Sequence, residues 1–171
     1  MIGSLVALPW SGFKWRLAIV PTSSLLLGVY GLFGYHFLLF LAFRTAPAVQ
    51  ANLVNYLWPL LIVVLAPLFN KHTQLKLRQV IAALAGFAGA ALVMTRGKAI
   101  SADFDVGYLA ALASAFIWAT YSLMTQKVKA FHTAAIGTFG LVSGVLSLAC
   151  HVALETPVAL SAQDAGLLVW M

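Results

Sequence analysis

The sequence predicts an all-α membrane protein, a polytopic bundle of transmembrane helices. Three observations carry that prediction. Of its 171 residues, 63% are hydrophobic and 8% charged, where a soluble domain is about half apolar and about a quarter charged. The mean hydropathy is +0.98. The few charges fall between long apolar runs and leave those runs uninterrupted. A chain with so little charge has no polar surface to offer water, and a bilayer is the solvent that tolerates it.

A spanning helix needs about 17–25 mostly apolar residues. Five uncharged runs meet that length: 17–43, 45–70, 79–95, 106–126 and 130–154. Backbone polar groups in lipid must be satisfied within the segment, so each run is predicted to be a helix. Turn residues agree with these limits. Pro21 stands near the start of the first run, Pro47 opens the second and Pro157 follows the last, and a proline is tolerated in a first helical turn. Residues 1–9 (MIGSLVALP) and 165–171 (AGLLVWM) are apolar but too short to cross. Each is expected to be part of a helix that the chain cuts partway, giving five complete spans and two partial ones. No basic segment precedes the first apolar stretch, which argues against a signal peptide.

Charge distribution predicts the orientation. Loops on one side carry Lys14, Arg16, Lys71, Lys76, Arg78, Lys127 and Lys129, while the other side carries Arg44, Arg96 and Lys98. The positive-inside rule therefore places the first set in the cytoplasm. The formal charge of +6 belongs to those loops and does not suggest nucleic acid. Membrane lipid is the predicted surrounding partner.

Small residues recur at helical spacing: Gly28, Gly31 and Gly34; Ala82, Gly86 and Ala90; Gly107, Ala111, Ala115 and Ala119; Gly140 and Gly144. In lipid such stripes let backbones approach closely, so they predict a tight bundle. The segment 96–105 (RGKAISADFD) is the most polar and marks the best internal boundary.

Chemistry-bearing residues are sparse. No Asp or Glu lies inside a complete span, and Cys150 is the single cysteine. There is no cluster with metal-ligand spacing, no phosphate-cradling glycine loop and no nucleophile beside a base. Enzymatic function, metals and cofactors therefore find no support. Asn52, Asn55, Tyr56 and Pro59 follow the i, i+3, i+4, i+7 spacing of one helical face, and two amides on one face are costly toward lipid. Pro59 has no N–H for the carbonyl of Asn55 and is expected to bend the helix there. Ser114, Trp118, Tyr121 and Thr125 share a stripe on a later span, where rings can stack on a flat ligand or attract an ammonium group. Tyr35 and His36 complete the candidate set, His36 being the ionisable residue deep in a span. Trp58 lies about midway along its run. Gly31, Gly34 and Pro59 are candidate hinges. For each of these the competing role is helix packing.

The run AVQANLVNYLWPLLIVVLAPLF (48–69), with Asn55, Tyr56, Leu57, Trp58 and Pro59, and the run SAFIWATYSLMTQKV (114–128), with Trp118 and Tyr121, resemble the EamA family of the drug/metabolite transporter superfamily. Within it the likeness is to aromatic amino acid exporters of the YddG type. The resemblance implies ten helices in two inverted five-helix repeats. Laid on that pattern, residues 1–98 hold the end of the second helix and helices three to five, and 99–171 hold helices six and seven and the start of the eighth. It further implies a small-molecule transporter of a bacterial inner membrane, exporting amino acids or similar metabolites by alternating access, with the missing helices of its own full-length chain as partners. The alternatives are another cargo in the same superfamily, such as a drug or sugar derivative, and a truncated fragment that does not transport.

The orientation is testable by single-cysteine labelling from outside intact cells, with Cys150 substituted. Ala102→Cys is expected to label and Lys71→Cys to stay protected, and the reverse pattern would invert the assignment.

Overall fold

In the computed structural model, residues 21–70, 73–96, 105–128 and 134–154 are described. Among them every regular element is a helix. Helix α1 spans Thr22–Thr45, α2 Ala48–Asn55, α3 Trp58–Phe69, α4 Leu77–Thr95, α5 Gly107–Thr125 and α6 Ala134–Leu154. Helices α2 and α3 form one broken span, so five helical units are long and apolar enough to cross a bilayer. They coincide with the five predicted runs. The two partial spans and Pro157 lie outside the described residues.

Local chemistry sets the ends. Pro21 and Pro47 occupy the N-cap positions of α1 and α2. The Asp105 carboxylate accepts the backbone N–H of Gly107 at 3.0 Å, satisfying one of the orphan donors at the start of α5. The side-chain oxygen of Gln79 accepts from the Lys76 N–H at 3.1 Å and caps α4.

Two interruptions depart from the sequence-based expectation. The predicted bend at Pro59 is a break at Tyr56–Leu57, where the Leu57 N–H turns back to the Val54 carbonyl at 3.1 Å. Pro59 then falls in the first turn of α3, where its missing N–H is tolerated. Within α1, Tyr30–Gly34 forms a π-helical turn that holds both predicted hinge glycines, Gly31 and Gly34. Such turns insert one residue into a helix and are frequent at functional sites.

Helix α5 is the hub, packing on α1, α2 and α3. Its predicted small-residue stripe is a real seam. Ala111, Ala115 and Ala119 are fully buried, and a Cβ on Gly107 would stand 2.6 Å from the Cβ of Ala46. Ala42, Ala46, Ala51 and Ala111 form the core cluster where α1, α2 and α5 meet. On α1, a Cβ on Gly28 would meet the ring of Phe139 at 2.7 Å, and one on Gly31 would meet Tyr121 at 2.3 Å. The stripe on α4 behaves differently. No residue of that helix is buried within the chain, and a Cβ on Gly86 would touch nothing within 4 Å.

These contrasts predict opposite outcomes for two glycine substitutions. Gly31→Ala drives a methyl group into the Tyr121 ring and is expected to cost about 1–3 kcal/mol. Gly86→Ala is expected to lie within about 0.5 kcal/mol of the parent. Reversible unfolding in detergent micelles measures both.

Candidate functional site

The polar centre of the bundle is built on Asn55, the last residue of α2. It is 4% exposed. Its Nδ2 donates to the Tyr35 hydroxyl on α1 at 3.1 Å. Its Oδ1 accepts from Ser114 Oγ on α5 at 3.0 Å. Ser114 also lies 2.7 Å from the Ala111 carbonyl, so its one hydrogen is shared between two acceptors. A single amide thereby ties three spans together. The bond from Asn55 makes the Tyr35 oxygen an acceptor and does not use that residue's own O–H hydrogen.

Aromatic rings surround this centre. Trp118 on α5 lies 4.9 Å from Tyr35 and 5.5 Å from Tyr121, centroid to centroid, with interplanar angles of 45° and 42°. These separations fall within the favourable range for ring pairs. Tyr121 reaches its place because Gly31 has no side chain to obstruct it. One turn away, Tyr30 Oη meets Thr120 Oγ1 at 2.8 Å. The Thr120 hydroxyl is directed at the Phe116 carbonyl, also at 2.8 Å, which makes Tyr30 the donor. His36 stacks edge-on against Tyr35, with 5.0 Å between centroids. Its Nδ1 lies 2.6 Å from the Leu32 carbonyl inside the π turn. A carbonyl can only accept, so Nδ1 carries the hydrogen.

The fold thus brings Tyr35, Asn55, Trp118 and Tyr121 together, with His36 at their edge. Asn52 is half-buried on α2. Tyr56, 42% exposed, sits in the break, and half-buried Trp58 begins α3. Among the described residues neither ring stacks on the cluster. Pro59 shapes the break that holds both. Two features escaped the sequence reading. Ser114 was visible as part of a stripe but not as the partner of Asn55. Gln50 and Tyr108 hydrogen-bond across α2 and α5, yet each is a lone polar residue near a helix start, with nothing in the sequence to pair them.

Chemically the site is neutral, aromatic and rich in hydroxyls. Among the described residues no group of three or more metal-ligating side chains converges anywhere. The arrangement suits a flat apolar group against rings, with a polar end toward tyrosine hydroxyls and the amide.

Residues 1–95 match the EamA-like transporter family. Over 134 residues the chain is 39% identical to the aromatic amino acid exporter YddG of Ancylobacter novellus, an overlap of 77% of this chain and 46% of that protein. Over 163 residues it is 30% identical to the uncharacterized transporter YyaM of Bacillus subtilis, covering 92% of this chain and 52% of the relative. The chain therefore spans about half the length of these curated relatives. A crystal structure of a protein 34% identical in sequence superposes with a TM-score of 0.81, covering 98% of this chain and 60% of that one.

The Asn55–Ser114 bond is testable as a double-mutant cycle. Combining Asn55→Ala with Ser114→Ala should give a coupling energy of about 0.6 kcal/mol, bounded near ~1.7 kcal/mol, the span found for polar pairs between membrane helices. Asn55→Ala alone is expected to cost more than Ser114→Ala, because it also removes the donor to Tyr35. Unfolding in micelles reads each term.

Proposed function

The chain belongs to the EamA-like transporter family, and from that premise we infer that it exports amino acids, aromatic ones among them, across a bacterial inner membrane. It is a multi-pass membrane transporter; cargo, direction and membrane are the inference. One observation carries it: the stack of Tyr35, Trp118 and Tyr121 around the buried Asn55. Rings at these separations accept a further aromatic ring edge-on or offset. The Tyr35 O–H hydrogen, not used by the bond from Asn55, is a donor for a carboxylate. The Ancylobacter relative, an aromatic amino acid exporter, supports the same cargo.

The mechanism follows from where the helices yield. The π turn at Tyr30–Gly34 and the break at Tyr56–Leu57 interrupt the α1 and α2–α3 spans beside the cluster. A helix interrupted at its middle bends there at low cost, because its backbone hydrogen bonds are already rearranged. In this reading residues 1–98 and 99–171 belong to opposite repeats, which rock about the cluster and expose it alternately to the two sides. Tyr56 and Trp58, placed on the break, move with it. Asn55 holds the closed arrangement, and its amide orients the cargo through Tyr35. The seven-to-three split of Lys and Arg puts the ends of α3 and α5 in the cytoplasm.

Paired measurements on Trp118→Ala and Tyr56→Ala in the full-length protein test this. Membrane abundance is scored beside efflux of phenylalanine and of alanine. Removing the Trp118 ring, which stacks on the cargo in this reading, costs on the order of 1 kcal/mol, a several-fold loss, and removing the Tyr56 ring tests the movement of the break. Normal abundance with weakened phenylalanine efflux is the expected result. Normal abundance with parental phenylalanine efflux overturns the cargo assignment, and loss of both variants from the membrane assigns the rings to packing.

A further inference from the structure

Three tyrosine hydroxyls belong to the aromatic centre, and two of them are engaged. Tyr30 donates to Thr120. The Tyr35 oxygen accepts from Asn55. The Tyr121 hydroxyl makes no hydrogen bond among the described residues. Nor is it sealed in, since among those residues Ser143 Oγ is the side-chain polar atom that is both fully buried and without a partner. We propose that Tyr121 Oη accepts a hydrogen bond from the ammonium group of the cargo. Tyr121 is then the residue that selects aromatic amino acids over aromatic acids that lack the nitrogen.

The charge of the spans calls for such a group. None of the five carries an Asp or Glu in its interior. A zwitterion lodged among them therefore has its ammonium held by neutral groups, which means ring faces and oxygen lone pairs. Nearby oxygens are in use. Asn55 Oδ1 accepts from Ser114, and the Phe116 and Trp118 carbonyls accept from Thr120 and Ser122. The Tyr121 oxygen keeps its acceptor capacity. Its ring lies 5.5 Å from that of Trp118, and an indole face attracts a cation within about 6 Å of its centre. His36 and Tyr56 also hold unbonded acceptors, but among the described residues neither ring pairs with Trp118.

The backbone fixes where the hydroxyl stands. Gly31 is buried in the π turn. A Cβ there would stand 2.4, 2.3 and 2.7 Å from Cγ, Cδ2 and Cε2 of Tyr121. One edge of the ring thus rests on bare backbone, and that seat holds it without a bond to its oxygen. The cargo is recognised in three parts: its carboxylate by the Tyr35 hydrogen, its ring by Trp118 and its ammonium by Tyr121.

This assignment rests on the reading of an aromatic amino acid cargo and adds the group that recognises its nitrogen. The full-length protein is held in nanodiscs. Binding is measured for phenylalanine, for 3-phenylpropanoate, which lacks the ammonium, and for 2-phenylethylamine, which lacks the carboxylate. The parent should bind phenylalanine about tenfold more tightly than 3-phenylpropanoate, the effect of one hydrogen bond to a charged group. Tyr121→Phe deletes one oxygen and keeps the ring that Gly31 seats. It should weaken phenylalanine and 2-phenylethylamine about tenfold and leave 3-phenylpropanoate unchanged. Parental phenylalanine affinity in Tyr121→Phe, an equal loss for all three ligands, or a parent that does not prefer phenylalanine to 3-phenylpropanoate would overturn the proposal. Should Tyr121→Phe fail to fold, Gly31→Ala displaces the same ring and decides. The preference for phenylalanine is expected to shrink in that variant, and its full retention overturns the assignment. A parent that binds none of the three ligands sinks the cargo reading and this assignment together. Phenylalanine binding that survives unchanged in Tyr121→Phe leaves the cargo reading standing and removes only the role of Tyr121.

Discussion

The bundle depends on how closely α5 can approach α1 and α2. In lipid the hydrophobic effect gives no net drive for one apolar helix to leave the acyl chains for another. Association must come from close packing and from polar groups that have nowhere else to bond. Helix α5 supplies both on one face. Gly107, Ala111, Ala115 and Ala119 remove the side chains that would hold the backbones apart. Ser114, fully buried among them, meets Asn55. A larger residue on the seam would separate the helices and break that bond together with the contact.

The aromatic cluster follows from this approach. Trp118 and Tyr121 flank the last alanine of the seam, Ala119, on α5, so they arrive beside α1 only because the alanines let α5 come near. Gly31 then admits the Tyr121 ring. The same glycine lies in the π turn whose Leu32 carbonyl accepts from His36. Packing, backbone irregularity and the polarity of the site are therefore one structure. A change made for one of them disturbs the others.

The polar centre built on Asn55 contains no carboxylate. A buried carboxylate would need a partner or would neutralise. An amide bonded on both sides carries no such cost, and tyrosine hydroxyls offer donors without charge. Among the described residues the Lys and Arg side chains fall at or beyond the span ends. Lys127 lies 5.4 Å above the Phe69 ring at one end, and Arg44 stands at the other. The interior is left neutral between them.

Much of this was legible in the sequence. The five spans could be read because hydropathy and length are properties of a run of residues, and lipid forces any such run into a helix. The seam on α5 and the inward face of Asn55 were legible for a related reason, since their spacing is fixed by 3.6 residues per turn. Other features were decided by tertiary structure. Spacing shows that Asn55 points inward, but not that Tyr35 and Ser114 both bond its amide, because those partners are 20 and 59 residues away. Pro59 announces an irregularity, yet its form as a break at Tyr56–Leu57 lies outside what a proline alone specifies. Gly86 and Gly31 look alike in the sequence. One faces open space and the other a tyrosine ring, because a small residue records only that something can come close. What does come close is set by the fold of the whole bundle.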